Sequence, residues 1–135
     1  MKELLNKKPK ILIIDDEKDI CAYLGSILER TGKFEVLVTT SPNEGIALAK
    51  SKHPDLILLD IIMSEMDGTE VAEELYDDSS TRGILVAFVT VLASRKDVEQ
   101  NEGMIGGHPF ISKEIGKEEL IARIESLLHE TSAAS

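Results

Sequence analysis

Apolar and polar residues alternate along this chain in a regular strand–helix rhythm. Short apolar runs predict strands at residues 10–14, 34–39, 55–59, 84–90 and 109–112. Between them, apolar residues recur at helical spacing, which predicts helices at residues 17–30, 42–52, 68–76, 94–102 and 117–129. Strands that are apolar throughout and alternate with amphipathic helices favour an α/β fold, with a parallel sheet covered by helices on both faces.

The length of 135 residues fits one domain with a substantial core. We expect a polar lead-in at residues 1–9, a domain at 10–130, and a tail or the start of a linker at 131–135. The apolar content of 42% and the charged content of 30% are typical of a soluble globular protein.

The formal net charge is −10, and it argues against nucleic acid or an anionic membrane as a direct partner. No apolar run approaches the roughly 18 residues of a transmembrane helix. Cys21 is the single cysteine, so no intrachain disulfide can form. A reducing, cytoplasmic location fits this composition, and we expect Cys21 to be a small buried residue on a helix.

Acidic residues follow two of the apolar runs. Asp15 and Asp16 follow the first run, and Asp60 follows the third. The carboxyl ends of parallel strands lie at one edge of a sheet, where ligands bind. Thr90 ends the fourth predicted strand there, and Lys113 directly follows the fifth. Because carboxylates repel each other, a site that gathers three of them indicates a divalent cation. Asp60 is then a candidate nucleophile toward phosphate.

Each of these residues also has an ordinary interpretation. Asp15 and Asp16 suit a turn and a helix cap. Thr90 is a common strand residue, and Lys113 is of a type that usually lies in solvent. Their arrival at one sheet edge favours a functional site over these separate roles.

Other polar residues are better explained structurally. Asp67 and Gly68 are typical of a turn that enters a helix. His53, His108 and His129 lack the spacing of a zinc site, and we interpret all three as structural or solvated.

Over residues 10–129 the chain resembles the receiver domains of two-component response regulators. The resemblance is carried by the acidic pair, by Asp60 followed by Met-x-x-Met-Asp-Gly, and by Thr90 and Lys113 after the last two strands. It implies a doubly wound, flavodoxin-like fold, with a five-stranded parallel sheet in the order 2-1-3-4-5 and helices on both faces.

The resemblance also implies a Mg²⁺ site. Asp16 and Asp60 would bind the ion directly, and Asp15 would bind it through water. The backbone carbonyl of Ile62 would complete the protein ligands. Such an oxygen-rich set matches the preference of Mg²⁺, which keeps several of its waters.

The remaining family roles concern the phosphoryl group. Asp60 would be the phosphoacceptor, Lys113 would pair with a phosphoryl oxygen as a point charge, and the Thr90 hydroxyl would bind another oxygen. Phe110 stands where the family has its aromatic switch residue. Because Phe lacks the tyrosine hydroxyl, we expect Phe110 to rest inward.

The implied phosphoryl donor is a sensor histidine kinase or a phosphotransfer protein. The resemblance also allows a second partner, a downstream effector domain or protein. The output surface would comprise residues 94–102, 109–112 and 117–129. On this interpretation the protein is not a conventional enzyme, although it catalyses its own phosphorylation and dephosphorylation at Asp60.

The sequence departs from the family pattern around the site. Ser64 and Glu114 stand where the family usually has proline, and Val91 replaces a small residue. A proline at the second position is often cis, but a cis bond before Glu114 would cost about 3–4 kcal/mol, so we expect it to be trans. Ile62 and Leu92 cannot orient a water molecule by hydrogen bonding, which predicts slow loss of a phosphoryl group.

Two other functions are compatible with parts of the sequence. These departures allow a receiver-shaped interaction module that is not phosphorylated. The segment Met66-Asp67-Gly68-Thr69 is faintly similar to the signature of haloacid-dehalogenase-type phosphatases, but Glu65 occupies the nucleophile position there. No apolar strand directly precedes that segment, so we regard the match as out of context.

Overall fold

The computed structural model describes residues 7–91, 104–105 and 107–134. The strands are β1 (Lys10–Ile14), β2 (Glu35–Thr39), β3 (Leu56–Leu59), β4 (Leu85–Thr90), β5 (Met104–Ile105) and β6 (His108–Ser112). The helices in this part of the chain are α1 (Lys18–Arg30), α2 (Pro42–Lys52), α3 (Gly68–Asp77) and α4 (Lys117–Ala134). The helix predicted at residues 94–102 lies outside the described residues.

The strands form one sheet in the order β2-β1-β3-β4-β6-β5. The first four pairings along this order are parallel, which confirms the predicted five-stranded arrangement. The sequence did not predict the two-residue β5, which pairs antiparallel with β6. Gly107, at φ 84°, lies in the turn between them, in a left-handed conformation that glycine adopts without strain.

Helices cover both faces of the sheet, as predicted. Successive side chains of a strand point to opposite faces, so Ile11 and Ile13 face one core cluster while Leu12 and Ile14 face the other. The first cluster contains buried residues of α1 and α4, and the second contains those of α2 and α3. The central strands are therefore buried on both sides, which explains their unbroken apolar sequence.

Helix α2 begins as the sequence predicts. The Ser41 hydroxyl accepts a hydrogen bond of 3.2 Å from the Glu44 amide, and Pro42 opens the helix. Helix α4 instead continues to Ala134, past the predicted end at residue 129. No glycine or proline follows His129 to stop the helix, so most of the expected tail is helical.

No helix in the described ranges combines the length and the apolar character needed to cross a membrane.

The segment that joins β3 to α3 comes back into close contact with the backbone of Asp60 at Gly68. Gly68 is buried, and its amide donates a 2.7 Å hydrogen bond to the Ile61 carbonyl. A Cβ atom at Gly68 would collide with the Asp60 carbonyl oxygen and with Ile61 Cα. Glycine is therefore required at this position by a close backbone approach, and it sets the path of the segment beside Asp60.

We expect Gly68→Ala to destabilise the fold by about 1–3 kcal/mol, since the clash is with backbone atoms that cannot rotate away. Chemical denaturation of the two proteins measures the difference. Gly83→Ala is the matched control, because a Cβ at Gly83 meets no atom within 4 Å. Equal destabilisation by both substitutions would contradict this explanation.

Candidate functional site at the carboxyl edge of the sheet

The three predicted acidic residues come together where β1 and β3 end. Ile14 and Leu59 are register partners, and the Asp60 amide donates a 3.0 Å hydrogen bond to the Ile14 carbonyl. One carboxylate oxygen from each of Asp15, Asp16 and Asp60 lies within 4.8 Å of the others. The parallel register of two neighbouring strands thus builds the cluster.

Asp15 is the most constrained of the three. Its side chain is 2% exposed, and Oδ1 accepts a 2.9 Å hydrogen bond from the Glu17 amide. Oδ2 is buried, and the Lys113 Nζ atom lies only 2.7 Å from it. The two groups therefore form a buried, charge-assisted ion pair.

Cys21 packs against the backbone of Asp15. Its Sγ donates a 3.1 Å hydrogen bond to the Asp15 carbonyl, and the residue is buried as predicted. Burial and the negative charge of Asp15 raise the pKa of the Cys21 thiol. The group therefore stays neutral, and it acts as a small packing residue of α1.

Lys113 supplies a positive charge to the cluster. Its Nζ lies 2.7 Å from Asp15 Oδ2, 3.4 Å from Asp60 Oδ1 and 3.4 Å from Glu17 Oε1, and its side chain is 6% exposed. Burial acts to lower the pKa of Lys113, but the hydrogen bond and charge of Asp15, together with Asp60, outweigh it, and the net shift is upward. Lys113 therefore remains an ammonium ion.

The backbone around Lys113 directs its side chain into the site. The Lys113 amide donates a 3.1 Å hydrogen bond to the Thr90 carbonyl, which ties the end of β6 to the end of β4. The described chain contains no cis peptide bond, so the bond before Glu114 is trans, as expected. Glu114 does not turn Lys113 away from the acidic residues.

Asp60 is 4% exposed, and its pKa is raised to about 6. Burial is the largest cause and the charge of Asp15 is the next, while Lys113 acts in the opposite direction. A single ammonium ion is thus insufficient to neutralise the carboxylates that surround it. Three carboxylate oxygens at this separation fit a hard divalent cation such as Mg²⁺.

The other predicted site residues lie on or shortly after strands β3, β4 and β6. Thr90 ends β4 and is 1% exposed, whereas the next residue, Val91, is 62% exposed. The Ile62 side chain is 56% exposed, and its role as a carbonyl ligand stays a prediction. Phe110 is 1% exposed and lies in the same core cluster as its register partner Phe88, so the aromatic ring faces inward in this structure.

The segment with the faint phosphatase similarity is structural. Asp67 caps α3, with Oδ1 accepting a 2.9 Å hydrogen bond from the Thr69 amide.

Two of the histidines have structural positions. His108 makes an edge-to-face contact with Phe88, with the ring centroids 5.4 Å apart, and His53 ends α2 with a φ of 48°. No histidine belongs to the acidic group within the described residues.

Sequence patterns missed two contacts at this site. The Ser64 backbone amide donates a 2.9 Å hydrogen bond to Asp16 Oδ2, and Glu17 lies beside Lys113. A backbone donor leaves no trace in residue identity, and Glu17 has the appearance of an ordinary exposed residue at a helix start.

The sequence model of the response regulator receiver domain matches residues 11–125. The chain belongs to this family. It is 36% identical over 119 residues to the polar-differentiation response regulator DivK of Brucella ovis, an alignment that covers 87% of this chain and 94% of DivK. It is 35% identical over 123 residues to the DNA-binding dual master transcriptional regulator RpaA of Synechocystis.

Relatives of the RpaA kind are longer proteins. The RpaA alignment covers 91% of this chain but 50% of RpaA, and that with PhoP of Bacillus subtilis, at 29% identity, covers 97% and 52%. The chain therefore spans about half the length of these curated relatives.

Solved structures show the same fold. The CheY-like receiver domain protein of Methanospirillum hungatei has a TM-score of 0.79 at 28% identity, covering 96% of this chain and 100% of that one. A receiver domain of a histidine kinase from Syntrophus aciditrophicus has a TM-score of 0.74 at 30% identity, with coverages of 90% and 91%. The receiver fold thus occurs both in a CheY-like receiver domain protein and in a histidine kinase.

The raised pKa of Asp60 predicts a pH-dependent stability. Between the usual carboxyl pKa of 3.8 and about 6, the folded state holds a proton that the unfolded state has lost. The contribution of Asp60 to the free energy of unfolding therefore falls as pH rises through this window. We expect Asp60→Asn to be more stable than the wild type by about 1–3 kcal/mol at pH 8 without Mg²⁺, and this advantage to shrink below pH 4. Urea unfolding in a chelator at both pH values measures it, and an advantage independent of pH would contradict the assignment.

Proposed function

We propose that this receiver domain accepts a phosphoryl group on Asp60 in a Mg²⁺-dependent reaction. The donor is the phosphohistidine of a sensor histidine kinase or of a phosphotransfer protein. Transfer changes the surface formed by residues 94–102, 109–112 and 117–129, through which the signal passes to an effector.

The observation that carries this proposal is the pairing of Asp60 with Lys113. Asp60 Oδ1 lies 3.4 Å from the Lys113 Nζ atom, within an acidic group that also contains the buried Asp15 and the half-buried Asp16. A nucleophilic carboxylate that attacks a phosphoryl group brings two anions together. The site therefore needs positive charge beside the attacking atom, and Lys113 supplies it.

Asp15, Asp16 and Asp60 are the residues that would hold Mg²⁺, with the Ile62 carbonyl as a further candidate. When bound, the ion supplies charge neutralisation for the phosphoryl oxygens. Its charge also favours the ionised form of Asp60, which the protein alone disfavours by burial. With a pKa of about 6, Asp60 is already mostly ionised at neutral pH, and a bound cation would increase the ionised fraction further.

In the transfer step, an Asp60 carboxylate oxygen forms a bond to phosphorus, and the bond between phosphorus and the imidazole nitrogen of the donor breaks. The electron pair of that bond leaves with the imidazole. Lys113 remains charged throughout and pairs with a phosphoryl oxygen as a point charge. The product is an acyl phosphate on Asp60, of the kind that carboxylate nucleophiles form.

The conformational response begins at Thr90, whose hydroxyl binds a phosphoryl oxygen once the group is present. Thr90 and Ser112 are register partners on β4 and β6, so a shift of Thr90 acts directly on the strand that carries Phe110. Because Phe110 already lies inward, we propose that Thr90, rather than rotation of the aromatic ring, carries most of the change.

We further propose that the protein acts in the cytoplasm and is not a conventional enzyme. Its acidic surface makes this domain a poor direct ligand for nucleic acid. Output therefore passes to an effector domain or protein. The RpaA relative, which is named as DNA-binding, is an example of a longer regulator.

Incubation with acetyl phosphate and Mg²⁺ tests the proposed function. We expect intact-mass spectrometry to show the addition of one phosphoryl group in the wild type. This addition requires Mg²⁺ and is lost in Asp60→Asn, because the nucleophilic oxygen is gone. Asp67→Asn is the matched control, because Asp67 lies in the same segment and asparagine also caps helices; it should be phosphorylated normally.

A phosphoryl addition that persists in Asp60→Asn would contradict the assignment of the acceptor. The absence of both phosphorylation and Mg²⁺ binding in the wild type would instead favour the receiver-shaped interaction module.

A further inference from the structure

Asp16 is held by a backbone donor at a position where receivers usually have proline. The Ser64 amide donates a 2.9 Å hydrogen bond to Asp16 Oδ2. Proline has no N–H group, so this bond cannot form in a chain with proline at this position. The substitution noted in the sequence thus adds a contact to the acidic site.

The position of this amide is set by its neighbours. Met63, the preceding residue, is 8% exposed and packs into the core cluster beneath α2 and α3. Farther along, the Gly68 amide bonds the Ile61 carbonyl at 2.7 Å. The segment is therefore anchored on both sides of Ser64, although the Ser64 side chain itself is exposed.

Asp16 differs from the other two acidic residues in its partners. Lys113 forms ion pairs with Asp15, Asp60 and Glu17, but within the described residues it forms none with Asp16. Asp16 is half-buried, and the Ser64 amide is the donor that restrains it. A carboxylate that is hydrogen-bonded at one oxygen cannot rotate freely. It therefore loses less conformational entropy when a cation binds.

We propose that the Ser64 backbone amide is a positioning group that orients Asp16 for Mg²⁺. This inference rests on the proposed Mg²⁺-dependent function. It concerns the backbone and not the hydroxyl, so it predicts different behaviour for two substitutions at the same residue.

The test compares Ser64→Pro with Ser64→Ala. Alanine keeps the amide and removes the hydroxyl, whereas proline removes the donor. Mg²⁺ affinity, measured on the unphosphorylated proteins by calorimetric titration, should fall about 10-fold in Ser64→Pro, at the lower end of what outer-shell partners contribute. Ser64→Ala should bind Mg²⁺ as the wild type does. Equal affinity of Ser64→Pro and the wild type would overturn the role of Ser64, and a wild type that binds no Mg²⁺ would overturn the proposed function as well.

A second measurement needs no variant and covers the case in which Ser64→Pro fails to fold. Amide hydrogen exchange of the wild type, followed by NMR in a chelator, should show the Ser64 amide protected relative to an unstructured chain. It should remain protected when Mg²⁺ is added, since the bond orients Asp16 in both states. Exchange at the rate of an unstructured chain in either condition would overturn the proposal.

Discussion

The buried ammonium group of Lys113 is the interaction on which this site depends. It lies within ion-pair distance of both Asp15 and Asp60, which are themselves almost fully buried. Two carboxylates taken out of water at the end of a sheet would repel each other strongly without such a partner. One positive charge nevertheless leaves the acidic group with a net negative charge, and this remaining negative charge favours the binding of a cation.

The fold supplies the geometry at low conformational cost. Parallel pairing places the ends of β1, β3, β4 and β6 at one edge, so no long segment has to fold over to bring the polar residues together. The Lys113 amide bonds the Thr90 carbonyl, and the Asp60 amide bonds the Ile14 carbonyl. The backbones of Lys113 and Asp60 are thus each hydrogen-bonded to a neighbouring strand, which fixes where their side chains begin.

Most of the sheet was predictable because fully buried strands and amphipathic helices have distinct apolar patterns. The two-residue β5 was not, since two residues carry no periodicity. The extension of α4 to Ala134 was missed because the polar Thr131 and Ser132 were given more weight than Ala133 and Ala134, which favour a helix. At the site, Asp15, Asp16, Asp60 and Lys113 could be predicted from their positions after strands. The Ser64 donor could not, because the hydrogen bond comes from the backbone and depends on the path of the segment.

The central claim is that Asp60 is a buried carboxylate in an acidic group that Lys113 only partly neutralises. The most direct test is the ¹³C NMR titration of the Asp60 carboxyl group in a chelator, in the wild type and in Lys113→Met. We predict a pKa of about 6 in the wild type and a higher one in Lys113→Met, because the opposing positive charge is removed. A wild-type pKa near the ordinary value of 3.8, unchanged by Lys113→Met, would contradict this account of the site.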